Sequence, residues 1–117
     1  MKQTHLENYY LTEDGKVFSD RDINRRKELI ELKPKIHRLG YAYVHPYYAN
    51  MKRTYIRLHR WMWETFVGEI PKGYEIHHKD HNKLNNALSN LELVTHRENV
   101  LLYLKHKKEQ QCQQEDQ

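Results

Sequence analysis

The sequence has one cysteine, Cys112, in a polar C-terminal stretch. That excludes a disulfide framework and any zinc site built from several cysteines of this chain, and it fits a reducing compartment. No apolar run approaches the ~18 residues that a membrane span needs. The first residues, MKQTHLENYY, lack the apolar core of a signal peptide. Phenylalanine occurs twice, hydrophobic residues make up 38%, and mean hydropathy is −1.07, so the core must be small. With 117 residues the expectation is one soluble, intracellular domain. Glycine (four) and proline (three) are scarce, so each one present is informative punctuation.

What the chain does have is charge and tyrosine. The net charge is +4 despite 16 acidic residues, a mildly basic balance compatible with nucleic acid without demanding it. Nine tyrosines and two tryptophans lie largely beside Arg, Lys or His. Such interleaving suits a polyanion with stackable bases. It equally suits half-exposed strand faces, where Tyr is favoured.

Along the chain, NYYLTEDGKVFS (8–19) reads as a hairpin turning at Asp14-Gly15. Residues 20–28 read as a charged connector whose Arg21, Arg25, Arg26 and Lys27 are either solvated or phosphate contacts. A short strand over 29–32 is stopped by Pro34. Residues 40–45 and 54–59 alternate as paired strands around a long turn containing Pro46, Asn50 and Lys52. Ala42, Val44, Ile56 and Leu58 then share an apolar face, and Tyr41, Tyr43, His45, Tyr55 and Arg57 share an aromatic, basic one. That second face can meet a nucleic-acid groove or water. HRWMWETFV (59–67) is helical by its spacing of His59, Met62, Trp63 and Phe66, with His59 read as a packed, hydrogen-bonded core histidine. Gly68 and Pro71 end that helix.

The chemistry concentrates in the segment GYEIHHKDHNKLNNALSNLELVTHRENV (73–100). It reads as a strand ending in His77-His78, an Asn-rich loop, a strand over 91–94 and a helix from His96 to about His106. Thr95 and Glu98 form a capping box, and Val100, Leu101 and Leu104 form the helix's apolar stripe. Residues 107–117 are too polar to pack and are expected to be disordered. An antiparallel pair followed by a helix folds back on itself, so the first helical turn, with Asn99, can approach the histidines. His77 and Asn99 can hold one metal there through an imidazole nitrogen and an amide oxygen. A neutral imidazole, with an unperturbed pKa of ~6.5, is a good general base, and the expected rate rises between about pH 6 and 8. Neighbouring strand residues point to opposite faces, so the strand must bend or end between His77 and His78 for both to serve one site.

The stretch HHKDHNKLNNALSNLELVTHREN closely resembles the HNH (ββα-metal) endonuclease family in its His-Asn-Asn variant. LHRWMWETFVGEIPKGYEI is similar to the lead-in of phage and intron-encoded members, and the N-terminal part to the β-rich module of nicking homing endonucleases. The resemblance implies an α+β fold: an N-terminal antiparallel β-sheet plus a helix, followed by a ββα-metal motif. It divides the chain into a DNA-binding subdomain over 1–58, a nuclease core over 59–106 (helix 59–67, ββα 74–106) and a tail over 107–117. It implies that His78 is the general base, that His77 and Asn99 bind one divalent metal, and that Asn90 shapes the loop and so orients His78. Asp80, Asn82 and Asn86 would brace that loop, as ordinary turn chemistry would also have them do.

His81 stands where many relatives have Gly; His tolerates a positive φ, and His81 is also a candidate to contact DNA or bind a soft metal. With two neutral ligands, metal affinity without DNA is expected to be weak. Mg²⁺ is the expected ion, with Mn²⁺, Ni²⁺ and Zn²⁺ also admitted. DNA is the expected partner, contacted by Arg25, Arg26, Lys27, Tyr41, Tyr43, Tyr55 and Arg57. The segment stops soon after its last helix, so the C-terminal helical region of extended homing nucleases is not expected. The expected setting is the cytoplasm of a host cell carrying a phage or mobile element, as a monomer or weak dimer. A phage protein could direct the cut, and a monomer would nick. The rival readings are a non-catalytic DNA-binding module of the same fold and a structural zinc domain, the latter disfavoured by the absence of Cys ligands.

Overall fold

The computed structural model describes residues 1–6, 8–23, 26–46 and 54–115; of 21–23, 26–27 and 110–115 it describes the backbone alone. Strands β1 (Lys2–Gln3), β2 (Tyr9–Leu11), β3 (Val17–Ile23) and β4 (Arg26–Leu32) form an antiparallel four-stranded sheet in sequence order. The expected hairpin is present. Tyr9 pairs with Ser19 and Leu11 with Val17, and Gly15 takes φ +90° in the turn.

Residues 20–28 are not a loose connector. Residues 20–23 and 26–28 belong to β3 and β4, with Arg21 opposite Glu28 and Asp22 opposite Lys27 in the backbone register. Opposite charges directly across a ladder favour pairing, so the charge density read as loop is here the cross-strand pattern of a sheet. Arg25 lies outside the described residues, as does the 47–53 turn. Arg26 and Lys27 are strand residues opposite Ile23 and Asp22.

Strands β5 (Lys35–Ile36), β6 (Ala42–Val44) and β7 (Ile56–Arg57) make a second antiparallel sheet, with Tyr43 opposite Arg57 and Val44 opposite Ile56. Ala42 and Val44 are buried, whereas Tyr41, Tyr43 and Tyr55 are half-buried or exposed, which is the two-faced sheet expected from the alternation.

Helix α1 (Leu58–Phe66) follows without a break and is the hub of the core. Its buried residues are Leu58, His59, Trp61 and Met62, with Trp63 and Phe66 only partly covered. Trp61 falls outside the expected stripe yet is fully buried, because the first sheet covers that side of the helix: the Tyr9 ring lies 6.1 Å away. One apolar cluster joins Leu6, Leu11 and Val17 of the N-terminal part to Trp61, Ile76 and Leu91, so the core runs across the 58/59 boundary.

Strands β8 (Tyr74–His78) and β9 (Leu91–Thr95) form an antiparallel pair, joined by a loop that ends in a 3₁₀ turn (Leu88–Asn90). Helix α2 (His96–Glu115) starts with the expected box: Glu98 N donates to Thr95 Oγ1 at 3.1 Å and Thr95 N donates to Glu98 Oε2 at 3.0 Å. The helix then departs from expectation twice. It continues past His106 to Glu115, through Lys, Gln and Glu residues that favour helix intrinsically and need no packing to adopt it. Val100, Leu101 and Leu104 are exposed instead of forming a core stripe. The better-covered side carries Asn99, Leu102 and His106. The fold is α+β, and among the described residues no helix is long and apolar enough to cross a membrane.

Candidate active site

Both histidines belong to β8, which runs through His78 without ending between them. They are buried, at 8% and 5% relative exposure, and both line one cavity of about 410 Å³ together with Tyr41, Glu75, Lys83 and Asn99. His78 pairs with Leu91 at the end of β9, and Lys79 N donates to Asn90 O at 2.8 Å to close the loop immediately beyond.

The loop is a hydrogen-bonded cage around Asp80. Its Oδ1 accepts from Asn82 N at 2.8 Å and Asn90 Nδ2 at 2.9 Å, and its Oδ2 accepts from Asn85 Nδ2 at 2.8 Å. Those donors hold the Asp80 carboxyl down at about 2. Asn90 Oδ1 in turn accepts from Asp80 N at 3.1 Å, and Asn82 Oδ1 caps Leu84 N at 3.1 Å. Asp80, Asn82 and Asn90 are thus joined to one another by hydrogen bonds within the loop. His81 carries the turn at φ +60°, in the conformation that Gly would otherwise supply.

The side chain that touches His78 is Asn86, whose Oδ1 lies 2.8 Å from Nε2. Asn90 bonds Asp80 and the Asn85 carbonyl instead. Behind His78 sits His59, its ring 5.2 Å away and stacked on Tyr41 at 5.2 Å. Among the described residues the buried His59 Nδ1 has no hydrogen-bond partner, so the expected hydrogen bond to that atom is not seen there. Burial, reinforced by the neighbouring His78, Arg57 and Arg60, pushes the His59 imidazole down to about 3, so it is a neutral wall. Burial likewise holds His78 below the ordinary histidine value, against the opposing pull of its bond to Asn86.

On the metal side, His77 Nε2 lies 3.8 Å from Glu92 Oε1, its cross-strand neighbour. Asn99 lies in the first turn of α2, where its Nδ2 donates to Glu75 Oε2 at 2.6 Å. The other Glu75 oxygen lies 2.7 Å from His96 Nδ1. Bonds from Asn99 and His96 hold the Glu75 carboxyl below its usual range. Glu75 was not singled out from the sequence, although it is two residues before His77 and so on the same strand face. It places a negative charge beside a donor pair expected to be neutral. The donor chemistry fits a divalent ion: with Nδ2 engaged by Glu75, the Asn99 amide has its Oδ1 left to offer, next to an imidazole and a carboxylate.

The rings of His81 and His106 stack at 3.9 Å and 4°, with His77 against His81 at 4.8 Å. Stacked planes do not converge on an ion, and among the described residues no group of three or more His, Cys, Asp or Glu side chains is gathered to hold one. Lys83, also missed from the sequence, donates Nζ to Leu39 O at 2.9 Å and lies 4.5 Å over the Tyr41 ring, where the Arg57 guanidinium also sits at 5.3 Å. Further along that face, Tyr43 packs on Tyr55 at 4.9 Å and on His45 at 5.2 Å.

Residues 57–101 match the family model described as HNH endonuclease. The segment holding the site is thus similar to HNH endonucleases. An HNH endonuclease of Acanthamoeba polyphaga mimivirus, L245, is 38% identical over 99 residues, covering 84% of this chain and 28% of that protein. The prophage-derived YosQ of Bacillus subtilis (strain 168), named as an HNH homing endonuclease, is 37% identical over 100 residues, covering 83% of this chain and 53% of its own length. The solved structure of the HNH homing endonuclease I-HmuI, described for DNA binding and cleavage, superposes with a TM-score of 0.69 at 29% identity, covering 91% of this chain and 60% of that one. The chain therefore spans less than two thirds of the length of each of these relatives. Most of the chain, 91% of it, finds a counterpart in I-HmuI, in line with the family resemblance read from the sequence.

Proposed function

We propose that the chain is a DNA endonuclease that hydrolyses phosphodiester bonds with a divalent ion held by His77 and Asn99 and with His78 as general base. The observation that carries this reading is the convergence of a buried, neutral-biased His78 with His77 and Asn99 on one open cavity. His78 takes a proton from water as the oxygen attacks phosphorus. The bond to the 3′ oxygen breaks, leaving a 5′-phosphate and, after proton uptake, a 3′-hydroxyl. Asn86 and the Asp80 cage hold His78 still, so that reactive geometry needs no reorganisation of the loop. The ion, when bound, supplies Lewis-acid stabilisation of the phosphate and of the leaving oxygen. Mg²⁺ is proposed on ligand hardness, Asn99 and phosphate supplying oxygen.

Lys83 and Arg57, gathered over Tyr41 at the cavity, would position the DNA backbone, with Tyr43 and Tyr55 extending that surface along the sheet. One such site cuts one strand, so a monomer nicks. Incubating supercoiled plasmid with the protein tests the reading. Conversion to open circles in Mg²⁺, none in EDTA, and a loss of about 100-fold or more in Asn99→Ala are expected. A plasmid that is shifted on a gel yet stays intact across divalent ions would show a binding module instead.

A further inference from the structure

The base needs one ring nitrogen without a proton, and the structure bears on which one. Asn86 is buried, at 4% exposure, with its Nδ2 facing two backbone carbonyls, Leu84 O at 3.4 Å and Lys83 O at 3.5 Å. Carbonyl oxygens only accept, so the amide cannot be turned over without setting its own oxygen against both. Its Oδ1 is thereby aimed at His78 Nε2, and an amide oxygen also only accepts. The Asn86 backbone is backed from the other side by the turn of the first hairpin. Leu88 N donates to Glu13 O at 2.7 Å, and a methyl group at Gly15 would come within 2.9 Å of the Asn86 carbonyl carbon.

We propose that Asn86 is the positioning residue that fixes the tautomer of His78, keeping the proton on Nε2 and leaving Nδ1 as the atom that accepts a proton from water. The inference rests on the reading of His78 as base and adds which atom acts and what holds it there. Asn86 acts through His78 and does not touch substrate. The turn over residues 12–16, though remote in sequence, is part of the support of the base, because it limits how far the Asn86 segment can retreat.

The test uses the full chain with ¹⁵N-labelled histidine, recorded where His78 is neutral and assigned by comparison with His78→Gln. Two-bond ¹H–¹⁵N correlations report which ring nitrogen carries the proton. The wild type should show His78 protonated at Nε2. Asn86→Leu should show a mixture of tautomers, with kcat for plasmid nicking down about 10- to 100-fold and KM nearly unchanged. A wild-type His78 protonated at Nδ1 would overturn the proposal without recourse to any variant. So would an Asn86→Leu protein with the wild-type tautomer and wild-type kcat. If His78→Ala nicks as fast as wild type, the base assignment itself fails, separately from the tautomer.

Discussion

His78 and His59 are neighbours held in unlike ways, and each carries its own pH signature. Burial lowers the pKa of both. If His78 is the base proposed above, its active form is neutral, so the nicking rate should rise with pH through a pKa below 6.5 and be level above about pH 7. This moves the rise expected from an unperturbed imidazole to lower pH, and a rate still climbing between pH 7 and 8 would contradict it. For His59 the consequence is stability. Its folded pKa of about 3 lies below the unfolded value of 6.5, so between these the unfolded chain binds the extra proton and stability falls as pH falls. His59→Phe should flatten that slope in urea titrations run at pH 7 and pH 5.

At the scale of elements, the site is a strand, a loop and a helix start fastened to one another. Glu75 on β8 grips Asn99 and His96 of α2 with its two oxygens. Glu75→Gln keeps the shape but puts an amide group against one of those two donors. Mn²⁺ binding in the presence of uncleaved DNA, read by electron paramagnetic resonance, should weaken about 10- to 100-fold. The capping box is separable from chemistry. Thr95→Ala should cost about 1 kcal/mol of stability by denaturant unfolding.

Local features at this scale were legible in the sequence because the signal is local: the turn at Asp14-Gly15, the box from Thr95 to Glu98, the adjacent histidines and the Asn-rich loop. Contacts made by folding were not. Nothing in the spacing of Asn82, Asn85, Asn86 and Asn90 says that Asn86 alone reaches His78 while Asn90 holds Asp80. Glu75 looked like a strand carboxylate until α2 brought Asn99 to it. Residues 20–28 misled because a charge-rich stretch resembles a loop unless the partner strand is known to set Arg21 against Glu28. The polar sequence after His106 reads as disordered, whereas its backbone is helical to Glu115, because low packing potential says nothing about helix propensity.

For the whole molecule, one apolar cluster joins the N-terminal sheet, α1 and the β8–β9 pair, and Gly15 packs against the Asn86 backbone of the loop beside His78. Gly15→Ala therefore combines an unfavourable φ with a collision against the Asn86 backbone. Gly73, at φ +86° with open space where a Cβ would lie, supplies the control. Both alanine variants should lose stability, by about 1 kcal/mol from the backbone, but only Gly15→Ala should also lower the nicking rate of the folded protein. Equal rates in the two would uncouple the sheet from the site.

The central claim is that His78 is the base and that the chain's own site breaks the bond. Single-turnover nicking of supercoiled plasmid in Mg²⁺, with wild type and His78→Ala matched for folding and DNA binding, tests it most directly. The account predicts open circles from the wild type and a rate at least about 100-fold lower for His78→Ala. A His78→Ala protein that nicks at the wild-type rate would contradict it.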